Sequence, residues 1–349
     1  MTRRAIAFTL VVACAITLAV VPLPEYWVER VYSLRLYPAI QSRLTQLTNL
    51  VPVALFDVSI ALLIAWLASR FVRRWRGAGL ARAIASTLGS ALIAAAVIYL
   101  TFLLLWGFNY RRVPLEDKIA FDSSRITTDA ARELATATAV HLNSLHTAAH
   151  QRSAPPEDIL VQAFATARER VGHNLDVVPG RPKRSLLERY FRWTAIDGMT
   201  VPWFLEIIVN PDVLPVERPF VVAHEWAHLA GFADEDEANY LAWLTCVNGD
   251  ELMQYSGWLA IYGHAVNGLS RADRRAIGET LADGPRRDFA AIVRRLQQSQ
   301  PVVRTVARES YDAYLRANRV EGGIESYDRV IRLILGGPNL PSGQFAPMR

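Results

Sequence analysis

The 349 residues leave room for one large domain, or for a membrane part joined to a domain of ordinary size. Hydrophobic residues make up 52% of the chain and crowd into its first third, which points to membrane segments rather than an unusually apolar core. The net charge of +5 comes mostly from arginines beside apolar runs and along helical segments, so it speaks for a membrane surface and not for nucleic acid.

Residues 5–22 are apolar throughout and follow Arg3 and Arg4. No small-x-small cleavage site precedes a polar start, so an uncleaved signal-anchor helix is expected. Cys14 ends a short lipoprotein-like box, but another apolar octet follows it, which argues against lipidation. Two further spans are expected at residues 52–72 and 83–106, each long enough for roughly 30 Å of hydrocarbon. Arg70, Arg73, Arg74, Arg76 and Arg82 lie between them. By the positive-inside rule that connection and the N-terminus are cytoplasmic, and everything after residue 107 is extracytoplasmic. Asp57, near the start of the second span, reads as an acidic group at an interfacial helix N-terminus rather than as an intramembrane relay.

Residues 1–107 are thus expected to form a three-helix transmembrane region, 108–336 an exported domain and 337–349 a flexible tail. Helical periodicity is expected near 127–149, 157–171, 216–230, 235–247, 273–297, 302–317 and 325–335. One strand is expected at 203–209, bounded by Pro202 and Asn210-Pro211. The only other cysteine, Cys246, falls on an expected helix, so no disulfide framework is possible there.

The segment 220–231, FVVAHEWAHLAG, has no helix breaker before Gly231. His224 and His228 stand four residues apart and project from one helix face, as two zinc ligands about 2 Å from one ion require. Glu225, beside the first histidine, is the candidate general base. A catalytic zinc needs a third protein ligand, and Asp234 and Glu235 are the candidates. Asp234 with Glu237 makes a capping box for the next helix, which leaves Glu235 as the favoured ligand. Asn239 shares a face with Glu235 and is expected to accept an N–H from a histidine ligand.

HEWAH followed by Glu235 and Asn239 resembles the gluzincin metallopeptidases. That resemblance implies one zinc ion held by His224, His228 and Glu235, with Glu225 as base. Only six residues separate His228 from Glu235, fewer than gluzincins usually have, so a tight hairpin through Gly231 is required. A broader resemblance rests on WGFNYRRVPL (106–115), GMTVPWFLEIIVN (198–210), HEWAHLAGFADEDEAN (224–239), Tyr255-Ser256-Gly257, SYDAYLRAN and GIESYDRV. It is similar there to a bacterial membrane family, domain of unknown function 3810. Together these imply a mainly α, membrane-anchored protein of the bacterial inner membrane with an α+β zincin-like domain of few strands.

The remaining candidates divide by role. Glu206 and Asn210 flank the expected strand, which could pair with an extended substrate. Tyr255 is a candidate transition-state stabiliser set against core packing, and His264 reads as core. Tyr311, Tyr314 and Tyr327 read as amphipathic helix residues. His146 and His150 are also four apart, yet no acidic residue lies between or just after them, so a solvated face is expected. The expected function is a membrane-bound zinc metallopeptidase acting on a protein or peptide substrate, with the oligomeric state open. The rivals are an amidase of cell-wall peptides and a non-hydrolytic zinc sensor or scaffold.

Overall fold

The computed structural model describes residues 3–152, 154–306, 309 and 329–338. Helix α1 spans Arg3–Val20, and after a break the short α2, Glu25–Trp27, runs through a π-helical stretch, Val28–Leu36, into α3, Tyr37–Asn49. The axis bends by 112° between Thr9–Val20 and Glu25–Asn49. Among the described residues only α4, Leu55–Ala78, and α5, Leu80–Leu105, are by themselves long and apolar enough to cross a membrane. The first expected span counts as a third only when α1 is joined to the bent stretch after it.

Helix α3 was hidden from hydrophobic periodicity because its buried stripe is mostly polar: Tyr37, Gln41, Thr45 and Thr48. Three of those groups satisfy backbone carbonyls far along the chain. Tyr37 donates to Leu229 O at 2.8 Å, Gln41 to Val178 O at 2.8 Å and Thr45 to Leu205 O at 2.8 Å. Buried polar groups are tolerated when they are paired in this way.

The arginine-rich connection is tighter than a loop. Arg70, Arg73, Arg74 and Arg76 lie on α4 and Arg82 on α5, with Gly79 between the helices at φ 81°. That left-handed angle is one glycine adopts without a Cβ penalty. Leu62 and Ile64 of α4 keep 65% and 61% of their surface exposed, as lipid-facing residues do.

Among the described residues the sheet has three strands, β1 (Pro182–Lys183), β2 (Gly198–Val201) and β3 (Glu206–Val209), in the order β1-β3-β2. β1 lies parallel to β3 and β2 antiparallel to it. The expected strand 203–209 is therefore shortened. Trp203, Phe204 and Leu205 form the reversal from β2, with Leu205 at φ 46°.

Two acidic groups anchor the sheet region to α4. Glu206 is buried against Lys183 at 2.7 Å and accepts N–H bonds from Leu55 and Phe56 at 3.1 and 2.9 Å, capping the start of α4. It is not a surface carboxylate. Asp57 accepts from Ser185 Oγ at 2.7 Å and from Leu186 N at 2.6 Å, so it is a tie rather than an interfacial charge.

Further helices are α6 (Thr128–Ala149), α7 (Glu157–Arg170), α8 (Glu188–Thr194), α9 (Arg218–Leu229), α10 (Glu235–Val247), α11 (Glu251–Asn267), α12 (Arg271–Thr280) and α13 (Asp283–Leu296). A further helix covers Arg329–Gly336. The expected helix 273–297 is broken at Leu281-Ala282, and α11 had not been expected as a separate element. Parts of the expected helices 302–317 and 325–335, nearly all of the 337–349 tail, and Tyr311, Tyr314 and Tyr327 lie outside the described residues. The core centres on α10, buried all round by α7, α9, α11 and Arg329–Gly336.

Candidate metal centre

Helix α9 begins with Pro219 in its first turn, where a missing N–H costs nothing. It ends in a Schellman turn. Phe232 N bonds Ala227 O at 3.1 Å, Gly231 N bonds His228 O at 3.0 Å, and Gly231 sits at φ 87°. This is the tight reversal that the short spacing required, and Glu235 opens α10 directly after it.

The result brings three donors together. His224 Nε2 and His228 Nε2 are 3.1 Å apart. Glu235 Oε2 lies 3.3 Å from His224 Nε2, and Oε1 lies 3.6 Å from His228 Nε2. Two donors each about 2.0–2.1 Å from a tetrahedral ion are separated by about 3.3 Å, so the set has the size of a zinc site. Its chemistry, two imidazoles and a carboxylate, fits the same ion.

The surrounding main chain fixes these donors. Phe232 O lies 2.7 Å from His228 Nδ1. A carbonyl can only accept, so Nδ1 carries the proton and Nε2 is left for a metal. The carbonyls of the helix end are held by elements outside it: Trp106 Nε1 donates to His228 O at 2.9 Å, Tyr37 to Leu229 O at 2.8 Å and Arg112 to Gly231 O at 2.8 Å. Arg112 is in turn paired with the buried Glu29 at 3.1 Å.

Asn239 does not take the role expected of it. Among the described residues it bonds neither histidine, because the reversal at Gly231 brings the Phe232 carbonyl to His228 instead. His224 Nδ1 is buried with no partner.

Electrostatics couple the three groups. Burial alone would push His228 down, but the Glu235 carboxylate beside it raises its pKa to about 9. Burial would raise Glu235, yet His228 and His224 hold its carboxyl well below the usual range. Glu235 keeps 39% of its side chain exposed, so solvent screens part of this attraction. A metal entering near neutral pH must displace the proton on His228.

Glu225 sits beside the cluster but belongs to another environment. Its Oε2 accepts from Thr200 Oγ1 at 2.8 Å, and Thr200 also reaches Glu225 O at 3.0 Å. Burial pushes the Glu225 carboxyl up, opposed by His224, His228 and the Thr200 bond. That is the direction a general base needs. Gly198 makes the contact possible: a Cβ there would fall 2.5 Å from Glu225 Oε1. Sequence reasoning missed Gly198 and Thr200, which come from β2, an element with no alternating apolar signal.

β2 is also the sheet edge on the α9 side, with no strand on its outer side among the described residues. The expected edge residues lie elsewhere. Asn210 is spent on Ile196 O and Asp212 N, both at 3.0 Å. Tyr255 donates to Asp288 Oδ2 at 2.6 Å, which commits its hydroxyl to a different cluster. His264 lies half-buried in the last turn of α11. Cys246 is buried against Gly257 and joins no ligand group.

Asp234 and Glu235 now separate by geometry. Asp234 Oδ1 caps α10 through Asp236 N and Glu237 N at 3.0 and 3.3 Å, and Oδ2 pairs with Arg329 at 3.0 Å. Glu237 does not close the capping box; it accepts from Leu115 N at 2.5 Å. Asp234→Ala should cost about 1 kcal/mol of stability and keep the metal. Glu235→Ala should weaken metal binding by more than about 100-fold, beyond the loss typical of an outer partner. Metal titration and thermal melts of the two variants check this, and metal loss in Asp234→Ala alone would reverse the assignment.

A protein-family model described as a protein of unknown function, DUF3810, matches residues 32–335. Neither a curated protein nor a solved structure matches the chain. With a match that runs through both membrane-length helices and the whole cluster around His224, the chain belongs to the DUF3810 family.

Proposed function

We propose that this protein is a membrane-bound, zinc-dependent metallopeptidase. The observation that carries the reading is the three-donor cluster of His224, His228 and Glu235 with a buried, proton-hungry Glu225 one residue from its first ligand. A zinc ion held there would polarise a peptide carbonyl and lower the pKa of water towards ~7. Glu225 then accepts the proton of the attacking water and delivers it to the departing amine. Thr200 holds the Glu225 carboxylate in place for both transfers. The open edge of β2 offers main-chain hydrogen bonds to an extended peptide, which favours protein or peptide substrates.

The course of α4 supports an extracytoplasmic position for the centre. Its 24 residues extend about 36 Å at 1.5 Å per residue. Glu206 holds its first turn, and the arginines occupy its far end. With the arginines cytoplasmic, the metal centre lies on the extracytoplasmic side.

The test is hydrolysis of a mixed peptide library by the full-length chain in detergent, read by mass spectrometry. Cleavage that is lost on chelation and restored by zinc is expected. Zinc-loaded protein that cleaves no peptide but hydrolyses cell-wall amides would replace peptidase with amidase.

A further inference from the structure

A second cluster of metal-ligating side chains lies away from the HEWAH helix. His146 in the last turn of α6, His150 at its C-cap and Asp288 on α13 offer ligand atoms that all fall within 4.8 Å of one another. His150 Nε2 is 2.9 Å and His146 Nε2 3.5 Å from the same oxygen, Asp288 Oδ2. The two imidazole rings are 4.4 Å apart, as the four-residue spacing on one helix face dictates. The third group comes from 138 residues further along the chain, which is why no local pattern announced it.

Three features argue that this is a built site. Tyr255 donates to Asp288 Oδ2 at 2.6 Å, an outer hydrogen bond that orients the carboxylate. Gly284 lets α13 close on α6, since a Cβ there would meet the His146 ring at 2.6 Å. His150 keeps 42% of its side chain exposed, which gives an ion a way in.

We propose that His146, His150 and Asp288 form a second divalent-metal site, of the class that takes zinc or cobalt. Two imidazoles and one carboxylate leave a position for water, so the site matches borderline ions rather than calcium or magnesium. An ion here clips α13 to α6. Seven residues further along α13, about 10 Å, Arg295 binds Asp197 at 2.6 Å and Glu217 at 2.7 Å. Asp197 leads into β2 and Glu217 precedes α9, so the clip steadies the frame of the first centre without touching it.

The experiment strips the tag-free full-length chain with chelator, adds Zn2+ and counts bound metal after desalting. Wild type should hold about two ions per chain, with one lost in His150→Ala, the other in Glu235→Ala and both in the double variant. His150 is exposed enough for its alanine variant to fold, and circular dichroism with a thermal melt checks this; Asp288→Ala should repeat the loss. A wild type holding one ion that His150→Ala and Asp288→Ala keep and Glu235→Ala loses overturns this site alone. One ion lost in His150→Ala and kept in Glu235→Ala would support it and defeat the centre at His224.

Discussion

Glu225→Gln should retain its zinc and slow peptide hydrolysis by about 10²–10⁴-fold, the usual worth of a general base. The substitution keeps the size of the side chain and its place beside Gly198 and Thr200, so packing survives. It removes the negative charge and the capacity to take a proton. Because Glu225 is not one of the three converging donors, metal content should stay at the wild-type value. Parallel metal counts and peptide kinetics separate the two effects. A variant of full activity would remove Glu225 from the chemistry.

The second large effect is structural. Glu206→Ala should destabilise the fold by about 3–5 kcal/mol, since it leaves a buried lysine without its counter-ion. The side chains of Lys183 and Glu206 are only 2% and 0% exposed, so solvent cannot take over the lost partner. The same change strips the acceptor from Leu55 N and Phe56 N at the start of α4. Pairing it with Lys183→Met should recover part of the loss, because the orphaned charge is then gone. Denaturant melts in detergent measure both. An alanine variant that melts with wild type would mean that the pair contributes nothing net.

What could be read from the sequence was what is local along it. The zinc-type face at His224 and His228 needs only a helix and a spacing of four. The cap at Asp234, and with it the nomination of Glu235, needs only the next three residues. Glycine at 231 announced the reversal that makes the short ligand spacing workable. The spans at α4 and α5 were legible because twenty or so apolar residues have few other uses.

What stayed hidden came from non-local pairing. Helix α3 turns a polar stripe inward and earns no hydrophobic signal, yet its hydroxyls and amide hold the loops around the centre. The run WFLEIIV reads as one strand, but the left-handed Leu205 folds its first half into a turn. Gly198 and Thr200 reach Glu225 from 27 and 25 positions away, and only the hairpin that bends there brings them in. The Phe232 carbonyl displaced Asn239 because a backbone acceptor gives no sequence signature. Tyr255 and the His146–His150 pair looked unrelated until α13 supplied Asp288 to both.

One zinc ion is expected among His224, His228 and Glu235, with a position left open for water. Anomalous diffraction at the zinc edge, from crystals of the zinc-loaded full-length chain, tests it most directly. The expected result is a peak about 2 Å from both Nε2 atoms and from the Glu235 carboxylate, with no fourth protein ligand. A peak closed by a fourth side chain, or no peak between these residues, would contradict it.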